Sequence, residues 1–292
     1  MSTLWQNIQY KMLRSGNKLN LLIGINVIVF LAVNMTAVLE KLFTSVGHQS
    51  LIEYFATEYL QLPAAFSKFP THFWTPITYM FMHDGILHIL FNMLWLYWMG
   101  QIFEEYLGNK RTIGLYIMGG LAGALFYLLA LNFLPFFTSV NAAATTTIVG
   151  ASASVMAIVV ATATLLPNYT ISLIFIGPVK LKWLVIFILV IDFLGTVGPN
   201  AGGEIAHLGG ALLGFIYIKQ LQKGHDWIEG IRSIFKSKSK LKVVYNNTGK
   251  NTADYPRQDE IDRILDKISQ SGYDSLNKQE RETLARASKN EK

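Results

Sequence analysis

Four polar side chains stand in stretches of the chain that are otherwise apolar, and their types suit acyl transfer. Ser152 follows Gly150 at the start of one hydrophobic segment, and His207 lies near the start of a later one. A serine hydroxyl becomes a nucleophile when an imidazole accepts its proton. His88 and Asn92, four residues apart, share one face of a third expected helix. Together the four indicate hydrolysis through a covalent intermediate.

These side chains are expected at one depth of a bilayer. Counted from the expected membrane entries near Ile148 and Gly203, Ser152 and His207 each lie about four residues in, or about 6 Å at 1.5 Å per residue. His88 and Asn92 bracket the same level on their own helix. Polar groups inside a membrane usually face the protein interior and mark function. Their convergence therefore favours a reactive site in the outer leaflet.

Each of these residues also has an ordinary structural explanation. A serine in a membrane helix often bonds the carbonyl four residues earlier or packs between helices. Ser154 is a rival nucleophile two residues after Ser152. His207 alone could be an interhelical hydrogen-bond donor, and His88 could simply bind Asn92. Only the joint pattern favours the catalytic interpretation.

The charges are strongly segregated along the chain. Of the 292 residues 51% are hydrophobic and 15% charged, and few charges fall within residues 19–222. This composition is typical of a membrane domain followed by a polar tail. The absence of cysteine excludes disulfides, thiolate nucleophiles and cysteine-based zinc sites. The net charge of +6 is attributed to segments beside the membrane, not to nucleic-acid binding.

Six segments are apolar enough and, at about 20 residues, long enough to be candidate membrane-spanning helices. They are residues 19–39, 86–106, 112–134, 148–166, 179–197 and 204–222. Lysine and arginine concentrate on one side if the N-terminus is cytoplasmic, which predicts that both termini lie inside. The expected fold class is thus an all-α membrane protein, a six-helix bundle with a small cytoplasmic helical tail.

The chain is expected to divide into four parts. These are an amphipathic cytoplasmic N-terminus at residues 1–18, the six-helix domain at 19–222, a basic juxtamembrane segment and linker at 223–255, and a small helical appendage at 256–292. Within the appendage, Asn277 and Glu280 match a capping box. Trp227 and Ile228 begin an apolar helical face expected to lie on the inner leaflet.

One long connection, residues 40–85, is rich in aromatic side chains. Aromatic side chains favour the membrane–water interface. A connection of this length in a compact domain is usually functional. We therefore expect this segment to lie partly in the outer leaflet rather than to form a separate domain.

Three motifs in this order resemble one known family, the rhomboid intramembrane serine proteases. The motifs are Gly150-Ala-Ser152 for the nucleophile, Ala206-His207-Leu-Gly-Gly210 for the histidine, and His88-Ile-Leu-Phe-Asn92 for the HxxxN motif of the second helix. The resemblance covers residues 15–222. It is specific because three separate motifs match in the family's order.

The resemblance implies a role for each residue. Ser152 would be the nucleophile and His207 the general base. His88, Asn92 and the Ser152 backbone would form the oxyanion site. Asp192, a carboxylate at a similar depth in the fifth segment, could complete a triad. Because the family works as a Ser–His dyad without a cofactor or a metal, Asp192 is interpreted as structural.

The resemblance also implies a setting. The substrates would be transmembrane or membrane-adjacent segments of other proteins. The chain would be a multi-pass protein of a bacterial inner (cytoplasmic) membrane, in contact with the lipid bilayer and not with nucleic acid. Glu104 resembles a structural carboxylate at the inner end of the second helix. The tail at 256–288 resembles, more weakly, a helical appendage of rhomboids from one bacterial group.

The chain departs from the family pattern at three places. Ala153 stands where a glycine usually follows the serine, Met156 where many bacterial members have an aromatic residue, and Thr75 where an arginine usually follows Trp74. None of these removes a reactive group. They bear on rate, specificity and loop rigidity.

Two other functions compete with proteolysis. A non-catalytic relative that binds and escorts membrane proteins would be expected to have lost Ser152 or His207, and both are present. A small transporter would be expected to show a repeated pair of broken helices, and no such repeat is found in the sequence.

Overall fold

A computed structural model of the chain describes residues 18–44, 50–173, 176–230 and 257–288. The chain divides between residues 236 and 237 into two compact units, which are described separately below. Except for Lys18, the amphipathic N-terminus predicted at residues 1–18 lies outside the described residues. So does most of the basic segment predicted at residues 223–255.

The described part of the first unit is mainly helical. In chain order it contains α1 (Lys18–Phe43), α2 (Leu51–Tyr59), β1 (Leu62–Pro63), α3 (Thr75–Thr78), α4 (Ile86–Leu107), α5 (Asn109–Phe133), α6 (Pro135–Ser139), β2 (Thr147–Ile148), α7 (Ser152–Leu165), β3 (Thr170–Leu173), β4 (Gly177–Lys180), α8 (Leu181–Gly195) and α9 (Ala201–Gln222). Short 3₁₀ turns lie at Phe66–Thr71, Tyr79–Phe81 and Ala142–Ala144.

Within the described residues, four helices are long and apolar enough to cross a membrane: α1, α4, α5 and α9. The other two predicted spans, at 148–166 and 179–197, are the shorter helices α7 and α8, of 14 and 15 residues. At 1.5 Å per residue they are about 21–23 Å long, less than a hydrocarbon core of about 30 Å. The chain is a multi-pass membrane protein, and six full spans stay a prediction.

Helix α7 begins four residues later than the sequence predicts, at Ser152 instead of residue 148. The cause is a strand pair: Ile148 and Thr147 align antiparallel with Leu62 and Pro63, so this stretch is extended. Gly150 then turns the chain with a φ of 128°, a left-handed conformation that glycine adopts without steric cost. Ser152 is thus the first residue of its helix, not the fifth.

Helix α7 is the centre of the first unit, and every residue from Ala153 to Ala163 is buried. It packs chiefly against α9 and α5. A Cβ added to Gly210 or Gly214 of α9 would overlap the carbonyl oxygens of Ala153 and Ala157. Glycines therefore let the two helix backbones come into contact, as small residues do in membrane helix pairs.

The long connection between α1 and α4 is folded onto the helices. Tyr79 donates its hydroxyl proton to the carbonyl of Gly120 at 2.6 Å. Where the arginine of the family pattern is missing, Trp74 Nε1 donates to Tyr59 O and Thr75 Oγ1 to His72 O, each at 2.7 Å. The segment is thus held by hydrogen bonds of its own.

Hydrogen bonds join the start of α5 to the segment that follows α9. Arg111 Nε donates to Asp226 Oδ2 at 2.8 Å, and Tyr217 donates its hydroxyl proton to Asp226 Oδ1 at 3.2 Å. Ile228 is 6% exposed and lies against Gly114. The sequence predicted that Ile228 would lie on the surface that faces the inner leaflet. That prediction was wrong for Ile228, because Gly114 of α5 leaves room for its side chain against that helix.

The second unit is a helical pair, α10 (Gln258–Ser271) and α11 (Lys278–Ser288). The predicted capping box is confirmed: Glu280 N donates to Asn277 Oδ1 at 2.9 Å, and Asn277 N donates to Glu280 Oε2 at 2.8 Å. Lys267 Nζ lies 2.9 Å from the Glu280 carboxylate. That hydrogen bond lowers the pKa of Glu280 below its usual value.

Candidate active site

A cavity of about 580 Å³ opens between α4, α7, α8 and α9. Each of these helices contributes polar side chains to its wall. They include His88 and Asn92 from α4, Ser152 from α7, Asp192 from α8 and His207 from α9. The four residues predicted from the sequence as a site thus line one cavity, together with Asp192. Their catalytic roles stay predictions.

Ser152 is positioned by the turn before it. Gly150 N donates to Tyr79 O at 3.0 Å, which ties the turn to the aromatic-rich connection. The first backbone hydrogen bond beyond the turn joins Val155 N to Ala151 O at 2.9 Å. The amide of Ser152 therefore precedes the first helical hydrogen bond, as at any helix N-terminus. It lies at the positive end of the α7 dipole.

His88 approaches the serine across Gly150. A Cβ at Gly150 would lie 2.9 Å from His88 Nε2 and 3.4 Å from Ser152 Oγ. Both groups therefore lie close to the same point, and any side chain at Gly150 would intrude on them. The ring of His83 meets that of His88 edge-on, with centroids 5.1 Å apart.

Asn92 lies one helical turn below His88. Its Nδ2 donates to the His88 carbonyl at 2.9 Å. This bond uses one of the two amide protons and fixes the side chain. The sequence raised the alternative that His88 and Asn92 bind each other. The observed bond joins the Asn92 side chain to the His88 backbone, which leaves the imidazole uncommitted to Asn92.

His207 is the seventh residue of α9 because that helix begins at Ala201, three residues before the predicted start. Its Nδ1 lies 3.5 Å from Asp192 Oδ2 and 3.3 Å from Glu204 Oε2. Two carboxylates thus face one ring nitrogen. With the Nδ1 edge directed at the carboxylates, Nε2 is the nitrogen left for the serine.

Sequence reasoning missed Glu204. It precedes His207 by three residues on the same helix, a spacing that brings side chains together, so the signal was present. Asp192, Glu204 and His207 each offer one donor atom, and these lie within 4.8 Å of one another. Zinc and other divalent ions use such donors. In this structure His207 Nδ1 lies within 3.5 Å of both carboxylates.

Ser154 lies away from the cavity. It is fully buried, and its Oγ has no hydrogen-bond partner among the described residues. A Cβ at Gly120 of α5 would come within 2.6 Å of that oxygen. The rival nucleophile therefore faces a neighbouring helix, and the geometry favours Ser152.

Two departures from the family pattern have a structural explanation. The Ala153 methyl lies opposite Gly123, where an added Cβ would come within 2.5 Å of it. The extra methyl is thus accommodated by a glycine on α5. Met156 lines the cavity in the place of an aromatic ring, and its flexible thioether can fill irregular space.

A family model described as Rhomboid domain matches residues 70–223, and a model for a family of unknown function (DUF6576) matches residues 250–290. The chain is 33% identical over 157 residues to "RHOMBOID-like protein 12, mitochondrial" of Arabidopsis thaliana, covering 51% of this chain and 47% of that protein. It is 38% identical over 48 residues to "Rhomboid protease GlpG" of Salmonella newport and of Salmonella heidelberg, covering 16% of this chain and 17% of each relative. The chain thus spans about half the length, or less, of these curated relatives.

Proposed function

This chain belongs to the rhomboid family, and from that premise we propose that it is a serine endopeptidase that cleaves other membrane proteins in or beside their transmembrane segments. One observation carries the proposal: Ser152, at the N-terminus of α7, lines the same cavity as His207 of α9 and the donors on α4. A nucleophile, a base and donors in one cavity are the parts that acyl transfer needs.

The proposed reaction proceeds in two halves. Ser152 Oγ attacks the substrate carbonyl carbon while His207 Nε2 takes the hydroxyl proton. The tetrahedral intermediate collapses as the imidazolium returns that proton to the leaving amine, which gives an acyl-enzyme. A water then attacks the ester with His207 again as base, releasing the acid and restoring Ser152.

The oxyanion is proposed to bind between α4 and the N-terminus of α7. His88 Nε2 and Ser152 Oγ both lie beside Gly150. Asn92 Nδ2 carries a second amide proton besides the one that it donates to the His88 carbonyl. The Ser152 amide adds a backbone donor at the positive end of a helix dipole. Preorganised donors of this kind stabilise charge as it develops on the carbonyl oxygen.

The substrate is proposed to be a transmembrane segment that unwinds locally. A helix hides its carbonyls in its own hydrogen bonds, so small or helix-breaking residues are expected near the cleaved bond. The route of entry would pass beside α8. Of its 15 residues only Leu181, Val185 and Asp192 are buried, so α8 is the least embedded wall of the cavity.

The test of this function uses membranes containing the full chain. A fluorophosphonate probe should label the protein, and a model transmembrane substrate should be cut. A non-catalytic relative that only binds membrane proteins would do neither. Labelling without cleavage would restrict the proposal to a reactive serine.

The inner-membrane location and the N-in, C-in orientation are proposals as well. Most basic residues at helix ends lie on one side in this topology. The described lysines on the outer side are paired: Lys41 Nζ lies 2.5 Å from Glu53, and Lys68 Nζ lies 3.1 Å from Glu58. Pairing offsets the charges that run against the rule.

Single cysteines can test this orientation directly because the chain has none of its own. Cysteine at Val140 or Val197 should react with a membrane-impermeant maleimide added outside intact cells. Cysteine at Asn168 or His225 should react only after the membrane is opened. Outside labelling of His225→Cys would contradict the C-in orientation.

The oxyanion donors give a second prediction. Removing one such donor typically slows a reaction about 10²–10³-fold, so His88→Ala and Asn92→Ala should each slow substrate cleavage by that factor. Fluorophosphonate labelling should weaken without disappearing, since Ser152 and His207 remain. Leu90→Ala, at an exposed position of the same helix, is the control. Parental rates in both variants would reduce His88 and Asn92 to packing residues.

The division of the chain remains a proposal: a surface N-terminus at 1–18, a protease domain at 19–222, a basic segment at 223–255 and a tail at 256–292. The first compact unit, which ends at residue 236, contains the whole proposed protease domain and the cavity with Ser152 and His207. The second unit has a capped helix of its own, α11. We therefore assign catalysis to the first unit alone.

A further inference from the structure

Helix α8 buries a carboxylate on its inward face. Its buried residues, Leu181, Val185 and Asp192, are four and seven residues apart, which puts them on one stripe at 100° per residue. Two of the three are apolar, as packing requires. The third is Asp192, of which only 7% of the whole residue's surface is exposed. A carboxylate in a membrane protein interior is costly unless it is paired, so its partner is informative.

The partner is the imidazole of His207. Asp192 Oδ2 lies 3.5 Å from His207 Nδ1. No hydrogen bond to Oδ2 is formed by the described residues, so its pairing with the imidazole is a charge contact. Near the end of α8, a Cβ at Gly195 would come within 2.9 Å of Glu204 Cγ, so α8 and the side chains of α9 are closely packed there. The fold therefore brings this carboxylate to the Nδ1 edge of the ring.

Glu204 reaches the same nitrogen at 3.3 Å but is held differently. Asn200 Nδ2 donates to its Oε1 at 3.2 Å. Its side chain is 21% exposed, against 9% for Asp192. Glu204 thus has a second partner and more access to solvent. Asp192 is the more buried of the two and depends more on His207.

We propose that Asp192 is a positioning residue for His207, with Glu204 as its auxiliary. This rests on the proposed serine protease function. A carboxylate at Nδ1 holds the tautomer whose proton is on Nδ1, which leaves Nε2 free to accept the Ser152 proton. It also stabilises the imidazolium that forms when that proton arrives. The sequence alone assigned Asp192 a structural role. Its contact with His207 favours the positioning role instead.

The test compares kcat and KM for a fluorogenic transmembrane substrate in liposomes. Asp192→Asn keeps the volume of the side chain and removes its charge. It should lower kcat on the order of 10²-fold with KM nearly unchanged, less than the ~10⁴-fold loss of a sole triad aspartate, because Glu204 remains. Asp192→Asn with Glu204→Gln should approach the larger loss. Asp192→Glu, which restores the charge, should recover part of kcat.

The controls separate positioning from packing. Ile191→Ala alters an exposed neighbour on the same helix and should keep parental kinetics. The thermal midpoint of Asp192→Asn should stay close to that of the parental protein. The rate of fluorophosphonate labelling should fall with kcat, since the probe needs the same base but no transmembrane substrate.

The outcomes also separate this inference from the function on which it rests. If the parental protein cleaves and Asp192→Asn keeps its kcat, Asp192 is structural and the inference fails. A rise in KM with kcat unchanged would instead assign Asp192 to substrate entry, and would equally overturn it. If the parental protein neither cleaves nor labels, it is the protease function that fails.

Discussion

Ser152→Ala is expected to reduce cleavage of a model transmembrane substrate to background. The variant loses the atom that forms the acyl-enzyme, so donors and binding alone remain. The change is small, because Ser152 is the first residue of α7 and alanine is compatible with a helix start there. The measurement is substrate cleavage in liposomes with matched protein amounts, alongside fluorophosphonate labelling, which should also be lost.

His207→Ala is expected to have the same effect for a different reason. Without the His207 imidazole the proposed general base is missing, so the Ser152 hydroxyl loses the residue assigned to accept its proton. Because nucleophile and base act as one unit, their losses should not add. The variant lacking both side chains should therefore be no slower than either single variant.

Ser154→Ala is the matched control for these two variants. This variant also removes a serine hydroxyl, but one that lies two residues further along α7. The Ser154 hydroxyl faces Gly120 of α5 and does not line the cavity. Clear activity is expected. Cleavage by Ser152→Ala together with its loss in Ser154→Ala would identify Ser154 as the nucleophile. Cleavage by His207→Ala would remove the general base from the mechanism.

Gly210→Val is expected to prevent the first unit from folding normally. A Cβ at Gly210 would overlap the carbonyl oxygen of Ala153, which is backbone at the centre of the bundle and cannot rotate away. Overpacking a core typically costs about 1–3 kcal/mol. Here α7 and α9 would have to separate, so a loss at or above the upper end is expected. Detergent-solubilised protein should unfold at lower temperature and lose fluorophosphonate labelling.

Leu212→Val controls for the branched side chain. Leu212 lies two residues along the same helix at 45% exposure, so valine there meets lipid and not a backbone. Its thermal midpoint and labelling should match the parental protein. Normal stability and labelling in Gly210→Val would mean that the backbones of α7 and α9 are not in contact at Gly210.

The sequence by itself determined the class of the protein and its reactive residue types. A chain whose charges avoid residues 19–222 can satisfy its backbone in a bilayer only as helices, in the absence of a barrel pattern. Helix spacing also put His88 and Asn92 on one face. These features depend on composition and on neighbours a few residues apart, which a sequence shows directly. The capping box of Asn277 was found for the same reason.

The start of α7 was decided by tertiary structure. Ile148 is apolar, and the apolar pattern predicts that it belongs to the following helix. In the structure it pairs instead with Leu62, far away in the sequence. That strand pair and the left-handed Gly150 make Ser152 the first residue of the helix, with its amide ahead of the first helical hydrogen bond. No local pattern reveals such a pairing, because it depends on where the aromatic-rich connection folds.

The environment of His207 was also decided by tertiary structure. Asp192 and His207 lie on different helices, and their contact depends on how α8 packs against α9. The depth of Asp192 in the sequence allowed a triad, but no local pattern shows that its side chain meets His207. Only packing shows which nitrogen it meets. Local chemistry therefore predicted which residues can react, and helix packing decided which groups hold them in place.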